Sequence, residues 1–290
     1  MITSCILQAK DGNAEKQFTI LRNRIHTMEF YGFLKLPTAG ALIKQSKILD
    51  DGKGLPLIFS GHDSSIFPYD IRADAEMLWR RWVVKDLSPD LLRGINTVKG
   101  VLASSNIKRT NHSSQKNYEY KRPANVFGAN GLVNGQWWPS RLCAMRDGAH
   151  GAIEAGIWGQ TNIGAFAVCV SEGHYQDKDA GKVILYCGTQ GENRGKSIGT
   201  KQLDETMRSG EPLRVLRAAK KDSKYAPEKG IRYDGLYEVK DSEILDSENV
   251  MVRFTLKRLE GQDPIRYRGD AARPTQQEKR EWMNIRNLVS

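Results

Sequence analysis

The sequence predicts an α+β protein: a helical first part, then a twisted, barrel-like β domain with flanking helices. Three observations predict it. Apolar residues recur at helical spacing between positions 71 and 83. From Gln136 onward, β-branched and aromatic runs alternate with Gly, Asp and Asn turns. Helical spacing returns after Thr275, where Trp282, Ile285 and Leu288 share one side. At 290 residues the chain has room for one large or two modest domains with a real core.

Residues 1–103 read as a largely helical N-terminal extension. Phe18-Thr19-Ile20-Leu21 and Phe30-Tyr31-Gly32-Phe33-Leu34 are short apolar runs, and Asp50-Asp51-Gly52-Lys53-Gly54 is a turn. Asp70 stands where it can cap a helix running to Trp82, whose apolar face holds Ile71, Ala75, Leu78, Trp79, Trp82 and Val83. Trp79 and Trp82 belong to a core on this pattern, not to a ligand stack. Ser88 as cap and Pro89 at the first position predict a second helix through Leu91, Leu92, Ile95 and Val98. Residues 104–135, rich in Asn, Ser, Gly, Lys and Arg, read as a basic polar linker, either solvated or lying along phosphates.

Residues 136–275 carry the strands. The expected ones are Phe166–Val170, Val183–Cys187, Leu213–Leu216, Leu236–Val239 and Val250–Leu259, with a helix over Thr200–Met207. Arg232-Tyr233-Asp234-Gly235 reads as a tight Asp-Gly turn feeding the strand at Leu236. Residues 276–290 form a helical tail.

Charge and cysteine usage narrow the function. A net charge of +10 favours an anionic partner, nucleic acid or an acidic surface. The excess is uneven: residues 182–232 hold 12 Lys and Arg against 6 Asp and Glu, which predicts one basic face. Cys5, Cys143, Cys169 and Cys187 are far apart, with no CxxC pair, so no structural metal site is expected. No long apolar run suits a membrane span and no signal peptide is visible, which points to a reduced intracellular compartment.

Four ordered motifs go further. They are Gly156-Ile157-Trp158-Gly159-Gln160-Thr161-Asn162-Ile163-Gly164-Ala165, then Asp177-Lys178-Asp179-Ala180-Gly181 with Tyr186-Cys187-Gly188-Thr189-Gln190-Gly191, then Arg208-Ser209-Gly210-Glu211-Pro212-Leu213-Arg214-Val215-Leu216-Arg217. The fourth is Ser223-Lys224-Tyr225-Ala226-Pro227-Glu228-Lys229-Gly230-Ile231-Arg232-Tyr233-Asp234-Gly235-Leu236-Tyr237. In this order and spacing, from about Trp137 to Pro264, they resemble the SET- and RING-associated (SRA, or YDG) domain, a reader of modified cytosine.

The resemblance implies a pocket that takes a flipped cytosine out of duplex DNA. Asp177 falls where the family has an aspartate that accepts from the exocyclic amine, and Tyr186 where it has one of two rings that sandwich the base. The second ring falls at His174, with Tyr175 one residue later; both stay open. Cys187 and Gly188 occupy a Thr-Gly pair whose backbone touches the ring, Thr189 a small serine, and Ser171, Glu172 and Gly173 positions with backbone contacts to the base edge. Glu172, His174 and Thr189 depart from the family's residues. So does the loop at 191–199, which is short and lacks the Asn-Lys-Arg finger of the animal members. Arg194, Lys196, Lys224, Tyr225 and Arg232 are the candidates for contacts to the DNA backbone or for a finger's role.

Motifs for catalysis are missing: no deaminase ligand set, nucleophile elbow, phosphate loop or metalloprotease helix. The expectation is therefore a non-enzymatic nuclear reader without cofactor or metal, whose partner is double-stranded DNA with modified cytosine. The alternative is a degenerate domain that binds histones, other chromatin proteins or the DNA backbone without flipping a base. No membrane partner is expected.

Overall fold

The computed structural model describes residues 2–10, 14–101, 108–172, 177–191, 195–246 and 251–289. The chain divides into two units, 1–93 with 275–290, and 94–274.

The first unit is helical: α1 (Ile2–Lys10), α2 (Glu15–Met28), α3 (Ala39–Ser46), α4 (Pro56–Phe59) and α5 (Tyr69–Val83). Phe18, Leu21 and Ile25 lie three and four residues apart on α2, so they share a face. That face joins Ile71, Ala75, Leu78 and Trp82 of α5 in one core. Beside it, Arg22 Nε meets Asp70 Oδ2 and His26 Nε2 meets Asp74 Oδ2, both at 2.6 Å. Both pairs are buried, and their four-residue spacing on each helix fixes how α2 and α5 align. Asp70 therefore does not cap α5 as expected; Pro68 sets the start of the helix and the carboxylate turns to Arg22. Trp79 donates to the Leu49 carbonyl at 3.2 Å and Trp82 is buried, the core placement expected of both.

The helix expected over 88–98 does not form. Asp90 Oδ1 accepts the Leu92 N–H at 2.8 Å, an Asx turn that competes with helical bonding. The second unit then opens with β1 (Ile95–Val101) and β2 (Lys108–Ser114), an antiparallel pair inside the stretch expected to be helix and linker. Residues 121–135 are not a free linker either. Arg214 donates to the carbonyls of Ala124 and Gly128 at 2.7 and 2.8 Å, and also to that of Val126, which ties this segment to the domain.

The main sheet follows β3 (Trp137–Trp138) and α6 (Arg141–Arg146). Its strands are β4 (Ile157–Gln160), β5 (Gly164–Val170), β6 (Lys178–Asp179), β7 (Val183–Cys187), β8 (Leu213–Ala218), β9 (Ile231–Asp246) and β10 (Met251–Arg258), with α7 (Ile198–Ser209) between β7 and β8. The strands lie in the order β4-β5-β8-β9-β10-β7-β6, and β3 pairs with β9. All neighbours are antiparallel except β5 and β8. Among the described residues β4 and β6 do not pair, so the sheet is open at those two strands. Every residue of β5 is buried, and with Leu203 of α7, Val215, Tyr237 and Phe254 it forms the core. The expected helix at 200–207 is α7, capped by Ser197, whose Oγ accepts the Thr200 N–H at 3.1 Å.

Asp234-Gly235 is not a turn. β9 runs through it, and the two residues face Val215 alone across β8, a bulge where Gly235 takes φ 104°. The bulge sends Asp234 into the core, where it takes two arginines: Arg217 Nη1 at 2.8 Å and Arg232 Nε at 2.5 Å. Burial alone would push this carboxyl up, but Arg232 and Arg217 outweigh it and hold Asp234 below the usual carboxylate range. The last helix, α8 (Gln276–Val289), belongs to the first unit. It starts with a capping box in which Thr275 N–H donates to Glu278 Oε2 at 2.6 Å and Glu278 N–H donates to Thr275 Oγ1 at 3.1 Å. No helix of the described residues is long and apolar enough to cross a membrane.

Candidate nucleic-acid interface

Asp177 stands just before edge strand β6. Its Oδ1 accepts the Cys187 N–H at 2.7 Å, across from the end of β7. The Cys187 side chain also hydrogen-bonds this carboxyl, so the amide and the thiol of one residue hold it in place. Burial pushes the Asp177 carboxyl up, while the Cys187 amide and the Lys220 charge pull it back in part. Tyr186 is the residue before Cys187 and lies close enough for the Asp177 charge, after burial, to push its hydroxyl further up. A Cβ at position 156 would stand 2.7 Å from the Tyr186 hydroxyl oxygen, so glycine is required there for the ring to lie where it does.

The structure departs from expectation at several site residues. Tyr186 is only 5 % exposed and belongs to the core, so it offers a floor and not an open stacking face. The backbone donors expected to touch a base are already used: Cys187 N–H by Asp177, and Gly188 N–H by the Val252 carbonyl at 2.8 Å. Thr189 is exposed, with its carbonyl taking the Thr200 hydroxyl at 2.8 Å. Ser171 is half-buried and Glu172 exposed at the end of β5. Gly173, His174, Tyr175 and Arg194 lie outside the described residues.

Arg232, expected at the phosphates, is fully buried. Asp234 and the Tyr225 carbonyl take its guanidinium. Much of the basic excess at 182–232 is likewise committed. Arg217 binds Asp179 and Asp234, Arg214 binds four backbone carbonyls, Lys196 Nζ meets Asp204 Oδ2 at 2.6 Å, and Arg208 pairs with Glu205. Lys224 is exposed and Tyr225 half-buried.

A cleft of about 700 Å³ opens between β4 and the start of α7, lined by Ala155, Trp158, Thr189, Lys196, Ile198 and Gln202 among others. Of this wall, sequence reasoning gave a role only to Thr189 and Lys196, not to Trp158. Trp158 is held by Asn125, which accepts its indole N–H at 2.9 Å. Arg141 was missed as well. It donates to the Ala155 carbonyl at 2.7 Å, bonds the Cys169 thiol and faces Tyr186. Its signal in the sequence is Ser140, which caps α6, followed by a cation at the first helical position. Among the described residues no group of three His, Cys, Asp or Glu side chains is placed to hold a metal ion.

Residues 126–262 match the SAD/SRA domain family. A UHRF1-like protein of Cryptococcus neoformans is 32% identical over 161 residues, 47% of this chain and 46% of that one. The E3 ubiquitin-protein ligase ORTHRUS 2 of Arabidopsis thaliana is 39% identical over 124 residues, covering 38% and 19%. The human E3 ubiquitin-protein ligase UHRF2 is 32% identical over 170 residues, covering 47% and 21%. The match thus spans less than half the length of each of these relatives. Among solved structures, a complex of the SUVH5 SRA domain with fully methylated CG DNA aligns with TM-score 0.40 at 25% identity, over 49% of this chain and 99% of that one. A modification-dependent restriction endonuclease, TagI, aligns with TM-score 0.43 at 28% identity, over 48% and 54%.

Proposed function

We propose, from the SAD/SRA domain that residues 126–262 carry, that this chain is a non-enzymatic reader of duplex DNA bearing 5-methylcytosine or a related modified cytosine. The observation that carries the proposal is the Asp177 carboxylate, held by the Cys187 amide through Oδ1 and by the Cys187 side chain, and close enough to Tyr186 to act on its hydroxyl. A fixed acceptor selects an N4–H₂ donor and rejects thymine, whose oxygen at that position would face it. A base reaching it must leave the helix, since the Watson–Crick edge is otherwise paired. Tyr186, buried against the core, is the floor of the pocket.

Replacing Asp177 tests this. Asp177→Ala should remove the preference for the marked duplex, a loss of about 1–3 kcal/mol as for one good base contact. Equal discrimination by the variant, measured by fluorescence anisotropy on duplexes differing at one cytosine, overturns the assignment. Because burial raises the Asp177 carboxyl, wild-type discrimination should also fade on acidification at a pH above that of an ordinary aspartate.

The buried Tyr186 ring and the committed Cys187 and Gly188 amides favour a second reading, in which the domain binds the DNA backbone or chromatin proteins such as histones without flipping a base. Equal affinity of the wild type for marked and unmarked duplex selects it. Incubating methylated duplex with the protein and a divalent metal tests the absence of nuclease activity; strand scission overturns it. A nuclear location goes with either reading and is checked by imaging a tagged chain.

A further inference from the structure

The geometry points to a second DNA contact on the 94–274 unit, partly outside the matched residues: Tyr225 and Tyr267, with Lys224 and Arg268 over their faces, grip the phosphodiester backbone beside the pocket. The inference rests on the DNA-binding reading above. The two rings meet edge to face at 4.8 Å and 61°. Lys224 Nζ stands 5.6 Å from the Tyr225 centroid and 5.9 Å from that of Tyr267, and the Arg268 guanidinium carbon stands 5.3 Å from Tyr267. Both cations are exposed and both rings half-buried.

These cations differ from the others nearby. Lys196, Arg208, Arg217 and Arg232 all have carboxylate partners. Among the described residues neither Lys224 nor Arg268 has one; each is held by aromatic faces alone. A cation on a ring face keeps its full charge toward solvent, and the ring limits its freedom, so less order is lost when an anion arrives. The arrangement suits a phosphate better than a carboxylate-bearing side chain because of its position. Arg217 Nη2 and Nε bind Asp179, two residues from Asp177, and the Arg217 guanidinium carbon lies 5.8 Å from the Tyr225 ring. Lys220, four residues before Lys224, is near enough to Asp177 to lower its carboxyl. A strand whose base enters at Asp177 must therefore continue past this patch. Residues 267 and 268 follow the end of the matched domain, and the sequence motifs gave them no role.

Salt titrations of the full chain decide it, using marked and unmarked duplexes of one sequence. Arg268→Ala should weaken both duplexes alike, by roughly 3- to 10-fold near physiological salt, and flatten the log–log salt slope by about 0.9 for one lost phosphate contact. Tyr267→Phe keeps the ring and should behave as the wild type, whereas Tyr267→Ala should resemble Arg268→Ala. Arg268 is on the surface, so its variant reports on binding even where Tyr267→Ala lowers stability. Unchanged affinity and slope in Arg268→Ala overturn the inference, as does a loss confined to the marked duplex. A poly-glutamate competitor whose binding falls in Arg268→Ala while duplex binding does not would reassign the patch to an acidic protein. Failure of the pocket is distinguishable: Asp177→Ala would then leave discrimination intact while Arg268→Ala still lowers the slope.

Discussion

His150 is fully buried, and burial, aided by the Arg141 charge, pulls its pKa down to about 4. Its Nδ1 lies 3.0 Å from the Ala152 carbonyl oxygen and 3.2 Å from the Ala152 amide nitrogen, and the carbonyl contact only partly offsets the burial. Because the folded value lies below the unfolded one of about 6.5, the unfolded chain takes up the proton first. Stability of the 94–274 unit should therefore fall as pH drops from about 6.5 to about 4, by a total of roughly 3 kcal/mol. His150→Gln, followed by thermal melts across that range, should flatten the dependence; an unchanged profile would place the acid sensitivity elsewhere. At this same scale, site residues were unevenly legible. Asp177 was singled out by its fixed spacing from Gly164 and Gly181 in the family motif, and the structure adds its bond to the Cys187 amide. Arg232 was not, because a cation two residues before a buried acid looks the same in sequence as one facing solvent.

Among the elements, the short connection after β7 bears most on specificity. Gln190 bridges to Lys196, Lys196 is further tied to Asp204, and only five residues of sequence separate the two bridged positions. A connection of that length carries no long finger for the opposite DNA strand, and discrimination requires a differential contact. Hemimethylated and symmetrically methylated duplexes should bind within about fivefold of each other, less than the effect of one base mismatch. A tenfold preference for either, titrated at one salt concentration, would show that another segment probes the partner strand. Strands β5 and β7 were legible because their apolar runs are continuous, and β8 and β10 because apolar residues alternate with basic ones between turn signals. β9 was cut short, since Asp-Gly signals a turn unless a buried arginine pair pulls the aspartate inward and makes a bulge. β1 and β2 were hidden for another reason: Thr97, Asn111 and His112 hold a backbone ladder with no apolar face to mark it.

For the whole molecule, each unit has its own apolar core. Domains with separate cores fold as separate bodies. A fragment covering 94–274 should keep the discrimination of the full chain between marked and unmarked duplex. Loss of discrimination in a fragment that still melts cooperatively would assign part of the readout to the first unit.

The first unit is discontinuous, because residues 275–290 belong with 1–93. On the ribosome, α8 is made only after all of 94–274 has been synthesised. The later-coded unit can thus complete its fold while the earlier-coded one still waits for its last helix, reversing the usual N-to-C order of assembly. Truncation before Thr275 would then leave the sheet unit whole and strand the helical one, its nascent chain open to chaperones and proteases.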